Sequence, residues 1–164
     1  MPAVWVWRAA IVVLTTISVA ATPLESRVDR PGSAEPHRVI PRGDGFLVVV
    51  NEQNAVASLP RTVVSRFFLK KVSRWDSGAV ALPVDLPPDS PVRDAFSRRV
   101  LSKSVSSIKA YWQQQIFSGR DVPPPEKADD AAVLEFVMSN PAAIAYVSSA
   151  AVLPHGVRAL TITD

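Results

Sequence analysis

The sequence predicts a single α/β domain with a partly parallel sheet flanked by helices. Two short apolar runs, Phe46–Val50 and Ala79–Val84, are rich in β-branched residues and typical of buried strands. Segments with apolar residues three and four positions apart follow these runs, as expected for helices packed on a sheet. The about 143 residues that follow residue 21 are enough to bury one core and too few for two large domains.

The first 21 residues predict an export signal. Arg8 precedes the uncharged apolar run Ala9–Ala21, which is shorter than the roughly 20 residues that span a bilayer. We expect cleavage after Ala21 and a periplasmic or secreted protein. The alternative is a membrane anchor, in which Trp5 and Trp7 extend the apolar stretch of an uncleaved signal segment.

Composition excludes several classes of function. The chain contains no cysteine, which rules out thiolate metal sites, cysteine nucleophiles, disulfides and a lipoprotein anchor. An exported protein stabilised by packing alone suits a bacterial periplasm. The formal net charge of +3 is too small an excess to predict nucleic-acid binding.

The elements begin after a flexible leader. Residues 22–45 mix proline, glycine and scattered charges without apolar periodicity, and the ordered domain is expected over residues 46–164. Phe46–Val50 is the first strand. Ser58 is expected to cap a helix that ends near Lys70 and carries Val64 and Phe68 on its apolar face.

The second strand, Ala79–Val84, leads into the segment with the clearest local signal. Ser90 is a good N-cap and Pro91 fits the first helical position. The free N–H groups of that first turn suit an anion, although a plain capped helix gives the same pattern. The apolar face of this helix is expected to comprise Val92, Ala95, Phe96 and Val100.

Two further helices and two strands complete the predicted domain. A helix from about Ser106 to Ser118 places Ile108, Tyr111, Trp112 and Ile116 on one face, and an exposed proline-rich loop follows at residues 121–129. The segment Asp130–Ser139 predicts another helix. Ala143–Val147 and Leu160–Thr163 are the expected last strands.

Three segments together resemble the phosphate-binding, substrate-binding proteins of ABC transporters. Arg66–Trp75 is similar to a helix-to-turn segment in which phenylalanine, leucine, a basic residue and a closing tryptophan recur. Asp89–Phe96 lies where those proteins have a Ser-Gly-Thr helix start that binds the anion. Asn140–Val147 resembles their Pro-Gly-Ala-Ile-Gly-Tyr strand entry.

The resemblance covers about residues 46–150 and implies a fold and a function. It implies one lobe of a type II periplasmic-binding-protein-like fold, with a mixed, mostly parallel sheet. The implied ligand is phosphate or a similar oxyanion at the residues Asp89, Ser90, Val92 and Arg93. The implied partners are an ABC permease or a sensor protein, with no cofactor.

The sequence also departs from the family pattern at this segment. Asp85 and Leu86 stand where the family has an arginine, and Pro91 replaces a glycine, which removes one backbone donor. Asp85 and Asp89 add negative charge beside the expected anion. The alternative function is therefore a sensor-accessory or protein-interaction module that kept the fold and lost the ligand.

No constellation in the sequence predicts catalysis or a metal site. His37 lies in the leader and His155 in a Pro-His-Gly turn, neither with a further ligand at suitable spacing. No Gly-x-Ser-x-Gly elbow is present to support a serine hydrolase. We expect a protein without enzymatic activity, catalytic residues or bound metal.

Overall fold

The computed structural model describes residues 45–164, so the predictions of an export signal at residues 1–21 and of a leader up to residue 44 lie outside the described residues. The elements in chain order are β1 (Phe46–Asn51), β2 (Ser58–Pro60), α1 (Arg61–Phe68), β3 (Leu82–Pro83), α2 (Pro91–Arg99), α3 (Val105–Phe117), α4 (Asp130–Ser139), β4 (Ala143–Ser148) and β5 (Val157–Thr163). No helix within this part of the chain has the length and apolar character needed to cross a membrane.

The strands form one five-stranded mixed sheet in the order β2-β5-β1-β4-β3. The central strand β1 is antiparallel to both neighbours, with Val48 opposite Tyr146 of β4 and Leu160 of β5. The outer strands β2 and β3 pair in parallel with β5 and β4. The predicted α/β class with a mixed sheet is confirmed. The sheet is not mostly parallel, however, because both pairings of the central strand β1 are antiparallel and the parallel pairings are confined to the two short outer strands.

Helices cover both faces of the sheet. Strand β4 is buried along residues 143–147, as expected for a strand with packed elements on either side. The rings of Phe68 in α1 and Phe96 in α2 lie 5.6 and 3.9 Å from the ring of Tyr146. Helix α4 packs against β1 and β4 and covers the other face.

The predicted helix cap at Ser58 is wrong. Residues Ser58–Pro60 form strand β2 and pair with residues 161–163 of β5, and α1 begins only at Arg61, without a side-chain cap. Pairing with a strand about 100 residues away outweighs the local capping preference. The first turn of α1 therefore follows directly from the edge of the sheet.

The second predicted strand is shorter than expected. Only Leu82–Pro83 forms a strand beside β4, because the preceding residues pair elsewhere: Val80 bridges to Arg74, and the N–H of Ala81 donates to Ser73 O. Helix α3 is confirmed from Val105, but Ile116, expected on its apolar face, is half-exposed. Helix α4 has the predicted bounds, and β5 begins at Val157, before Leu160.

Candidate functional site

The start of α2 has the local structure that its sequence predicts. Ser90 is the N-cap, its hydroxyl oxygen accepts from the N–H of Arg93 at 3.4 Å, and Pro91 occupies the first turn. The N–H of Ser90 donates to Pro87 O at 3.0 Å and closes the turn before the helix. The polar groups at the start of α2 thus form hydrogen bonds with one another and with the preceding turn.

These bonds leave few of the expected anion donors available. Of the three N–H groups expected to bind an oxyanion, those of Ser90 and Arg93 already donate within the protein. The N–H of Val92 is the one without a partner among residues 45–164. The backbone donors available at this helix end are therefore reduced to a single N–H, beside the Ser90 hydroxyl, which accepts from Arg93 and can still donate.

The guanidinium of Arg93 is buried and paired inside the protein. Only 6% of Arg93 is exposed, and its Nη2 lies 3.0 Å from the carboxylate of Asp85. Its Nη1 donates to Leu86 O and to the carboxylate of Glu126, which is half-exposed. The Nε of Arg93 is buried with no hydrogen-bond partner within the described part of the chain. Two carboxylates thus compensate the one positive charge at this helix start.

Asp85, which follows β3, is the centre of the network. Its side chain accepts from the hydroxyl of Tyr146 and from the N–H of Leu86, the latter at 3.0 Å. Burial raises the pKa of the Asp85 carboxyl, and Arg93, Tyr146 and the Leu86 N–H act in the opposite direction. The pKa of Tyr146 is also raised, mainly by burial and then by the Asp85 charge. The carboxyl of Asp85 is therefore buried next to Arg93 at a cost in hydration that its partners offset only in part.

The network also attaches the proline-rich loop to the end of β3. The N–H of Asp85 donates to Pro125 O at 3.0 Å, and the N–H of Lys127 donates to Asp85 O at 2.9 Å. This short bridge brings Glu126 alongside Arg93. Backbone and side-chain bonds together hold the loop over the arginine.

A cavity of about 510 Å³ opens between the starts of α2 and α4. It is lined by Asp89 and Ser90 from one helix and by Asp129 and Asp130 from the other. Asp129 caps α4 by accepting from the N–H of Ala132 at 2.8 Å, and Asp130 accepts from the N–H of Ser148 at 3.0 Å. Three carboxylates therefore surround the space that faces the two helix starts.

The four residues expected to bind the anion all lie at the start of α2 but do not line a common cavity. Asp89 and Ser90 line this cavity, whereas Arg93 lines a separate groove of about 430 Å³ beside α3, together with Glu126 and Lys109. Val92 lines neither. Among residues 45–164 no group of three or more His, Asp or Glu side chains is placed to hold a metal ion.

Sequence reasoning missed most partners in this region. The sequence predicts an exposed loop at Glu126, a strand at Tyr146 and the start of a helix at Asp130. The last two predictions are correct locally, but nothing in the sequence indicates that these side chains meet Asp85 or the start of α2. Only the return of the chain through β4 beside β3 brings Tyr146 to Asp85.

Comparisons with known proteins concern the fold. No protein-family model and no curated protein matches the sequence. A phosphate ABC transporter substrate-binding protein from Clostridium perfringens, solved with bound phosphate, matches 72% of this chain with a TM-score of 0.57 at 20% identity, over 44% of its own length. An ABC-type phosphate transport receptor from Vibrio cholerae matches 72% of this chain with a TM-score of 0.55 at 18% identity, over 46% of its length.

A third match is a protein described as a phosphate-binding protein, from Planctomyces limnophilus. It matches 73% of this chain with a TM-score of 0.51 at 17% identity, over 42% of its length. The chain thus spans less than half the length of the proteins that it resembles. At these identities the likeness shows the fold, and residues 45–164 have the fold found in part of the phosphate ABC transporter substrate-binding proteins.

Proposed function

We propose that this chain is a non-enzymatic, exported accessory module, a binding-protein lobe whose own carboxylates have replaced the anionic ligand. The observation that carries this proposal is the pairing of Arg93 with Asp85 and Glu126. A phosphate ion that approached this arginine would have to displace either the half-exposed carboxylate of Glu126 or the buried one of Asp85, which Tyr146 and Leu86 also hold. The partner in this proposal is a sensor or transport protein.

Electrostatics at the neighbouring cavity support the same conclusion. A helix start contributes about half a positive charge, so α2 and α4 together offer about one. Asp89, Asp129 and Asp130 line the same cavity with up to three negative charges. A dianion such as phosphate would therefore meet net repulsion there.

A second candidate function is oxyanion binding at Asp89, Ser90, Val92 and Arg93, in cooperation with an ABC permease. Two observations favour it. The unpartnered N–H of Val92 lies at the helix start, and the C. perfringens protein of similar fold was solved with phosphate. In this case the ligand would bind through backbone donors, with Arg93 released from Glu126.

Isothermal titration of the protein with phosphate and with sulfate separates the two candidates. The accessory module predicts no binding heat at millimolar phosphate. Saturable binding that Arg93→Ala abolishes would overturn it and establish the oxyanion site. Arg98→Ala is the matched control, because Arg98 forms an exposed pair with Asp94 on the same helix.

A further variant tests whether Glu126 competes with the ligand. Glu126→Gln removes one of the two carboxylates on Arg93 and leaves the buried Asp85 in place. If internal compensation prevents binding, this variant is expected to bind phosphate more tightly than the natural protein. Glu135→Gln is the control for a change of charge on an exposed side chain.

The genomic neighbourhood distinguishes the partners. Adjacent genes for a permease and an ATPase would favour transport. A neighbouring histidine kinase or chemoreceptor would favour the accessory role.

A further inference from the structure

The charges of residues 45–164 are strongly segregated. Residues 53–75 and 95–120 contain no acidic residue, and together they carry a formal charge of +10. Outside these two segments the described chain carries a formal charge of −8. The ten cations are Arg61, Arg66, Lys70, Lys71, Arg74, Arg98, Arg99, Lys103, Lys109 and Arg120.

The two segments belong to one layer of the structure, formed by α1, the end of α2, α3 and the turns that follow them. Arg61 Nη1 donates to Arg99 O at 3.3 Å and joins the start of α1 to the end of α2. The hydroxyl of Tyr111 in α3 donates to Leu69 O at 3.1 Å after the end of α1. We call this layer the basic layer.

Much of the charge in the basic layer is uncompensated. Three of the ten cations pair with acidic residues: Arg61 with Asp164, Lys70 with Asp121 and Arg98 with Asp94. Six exposed cations have no ion pair among residues 45–164, namely Arg66, Lys71, Arg74, Lys103, Lys109 and Arg120. Exposed and unpaired cations are free to bind an anionic surface.

An exposed apolar tip lies among these cations, at the end of α3. Phe117 is 90% exposed, and Ile116 and Val122 are 50% and 58% exposed. The N–H of Arg120 donates to Gln115 O at 3.0 Å, which folds the chain back beside this tip. Lys109 lines the same groove as Ile116. The apolar tip thus lies beside the unpaired cations Lys109 and Arg120, while the nearby carboxylates of Asp121 and Glu126 are paired with Lys70 and Arg93.

We propose that the basic layer binds the surface of an anionic phospholipid membrane and inserts the tip formed by Ile116, Phe117 and Val122 between the headgroups. Lipid headgroups attract clustered lysine and arginine, while the acyl boundary accepts an aromatic side chain. An acidic protein surface would satisfy the cations as well, and would need an apolar pocket for Phe117, whereas a membrane offers headgroup charge and an apolar boundary together. This proposal does not depend on whether the start of α2 binds an anion.

The experiment is co-sedimentation of the full chain with two kinds of vesicle. One kind is phosphatidylcholine alone, and the other is equal parts phosphatidylcholine and phosphatidylglycerol. The informative quantity is the difference between them, because the apolar run Ala9–Ala21 can bind lipid irrespective of headgroup charge. We expect stronger binding to the anionic vesicles and loss of that preference at high salt.

Matched variants locate the surface. Replacing Lys103, Lys109 and Arg120 with glutamine is expected to weaken binding to anionic vesicles by about 100-fold, since each cation near an anionic surface contributes roughly a fivefold factor. Lys127→Gln, outside the basic layer, should leave binding unchanged. Phe117→Ser should weaken binding by about tenfold. Val152→Ser should leave it unchanged, because Val152 is an apolar side chain, 80% exposed, that lies outside the basic layer.

Two results would overturn the proposal. The basic layer is not the binding surface if the natural protein binds equally to both vesicles. The same holds if the triple variant keeps the preference for anionic vesicles. Anionic binding that is unaffected by Phe117→Ser would indicate a purely electrostatic surface, suited to an acidic protein. All substituted side chains are exposed or partly exposed, and circular dichroism checks that the variants fold.

Discussion

Tyr146 and Phe96 stack face to face in the core, with ring centroids 3.9 Å apart and ring planes 7° apart. The same tyrosine donates its hydroxyl to Asp85, which in turn pairs with Arg93 one turn before Phe96 on α2. The position of the buried ion pair therefore depends on the aromatic packing between α2 and β4.

Removing the hydroxyl of Tyr146 should destabilise the protein. Tyr146→Phe leaves the buried carboxylate of Asp85 without one donor while preserving the stacked ring. The expected loss is about 1–3 kcal/mol in the free energy of unfolding, measured by urea denaturation. Tyr111→Phe is the control, because its hydroxyl bonds Leu69 O nearer the surface, and it should cost less. Equal losses in the two variants would show that the bond to Asp85 has no special role.

Removing the charge of Arg93 should cost more. Arg93→Met leaves Asp85 buried without its counter-ion, which is expected to lower the free energy of unfolding by about 3–5 kcal/mol. Adding Asp85→Leu removes the unpaired charge and should restore part of the loss. A double variant less stable than Arg93→Met would contradict this account, and Arg98→Met controls for the exposed pair with Asp94.

The stability of the protein should also reflect the titration of Asp85. Burial raises the pKa of its carboxyl above the usual 3.8, so in the interval between 3.8 and the raised value the folded chain holds a proton that the unfolded chain has lost. The contribution of Asp85 to stability is therefore greatest below pH 3.8 and falls as the pH rises through the folded-state pKa.

Comparison with Asp85→Asn isolates this effect from other carboxylates. The free energy of unfolding of the natural protein minus that of Asp85→Asn should decrease with rising pH across the interval above 3.8. An increase instead would mean that Arg93 and Tyr146 hold the pKa below its usual value.

The two helix caps beside the acidic cavity should differ in strength. Asp129 accepts from the N–H of Ala132 at 2.8 Å, whereas Ser90 accepts from the N–H of Arg93 at 3.4 Å, near the limit of a hydrogen bond. Asp129→Ala is expected to cost about 1 kcal/mol and Ser90→Ala about 0.5 kcal/mol in thermal or urea unfolding. The reverse order would indicate that Ser90 contributes through contacts other than the cap.

The elements with strong local signals could be predicted from the sequence. The continuous apolar run at Phe46 gave β1, and Ser90 followed by Pro91 fixed the start of α2 because capping is decided within one turn. The error at Ser58 has the opposite cause. Residues Ser58–Pro60 form a strand because they pair with β5, and no residue near them in the sequence indicates this pairing.

The candidate site likewise contains residues whose roles are set by their neighbours in sequence and residues whose roles are set by distant contacts. Ser90 and Pro91 act locally, so their roles could be predicted. The environment of Arg93 could not, because Asp85, Glu126 and Tyr146 reach it from three different parts of the chain. Burial and internal compensation of this arginine are properties of the tertiary structure.

Both outer strands of the sheet are very short and each ends in a proline, Pro60 in β2 and Pro83 in β3. A proline has no N–H to offer an incoming strand, and two or three residues give such a strand little to pair with. Each border of the sheet is therefore poorly suited to recruit a strand from another molecule. This protects a chain that spans less than half of its structural relatives from edge-to-edge aggregation, and it directs any partner towards the helical faces.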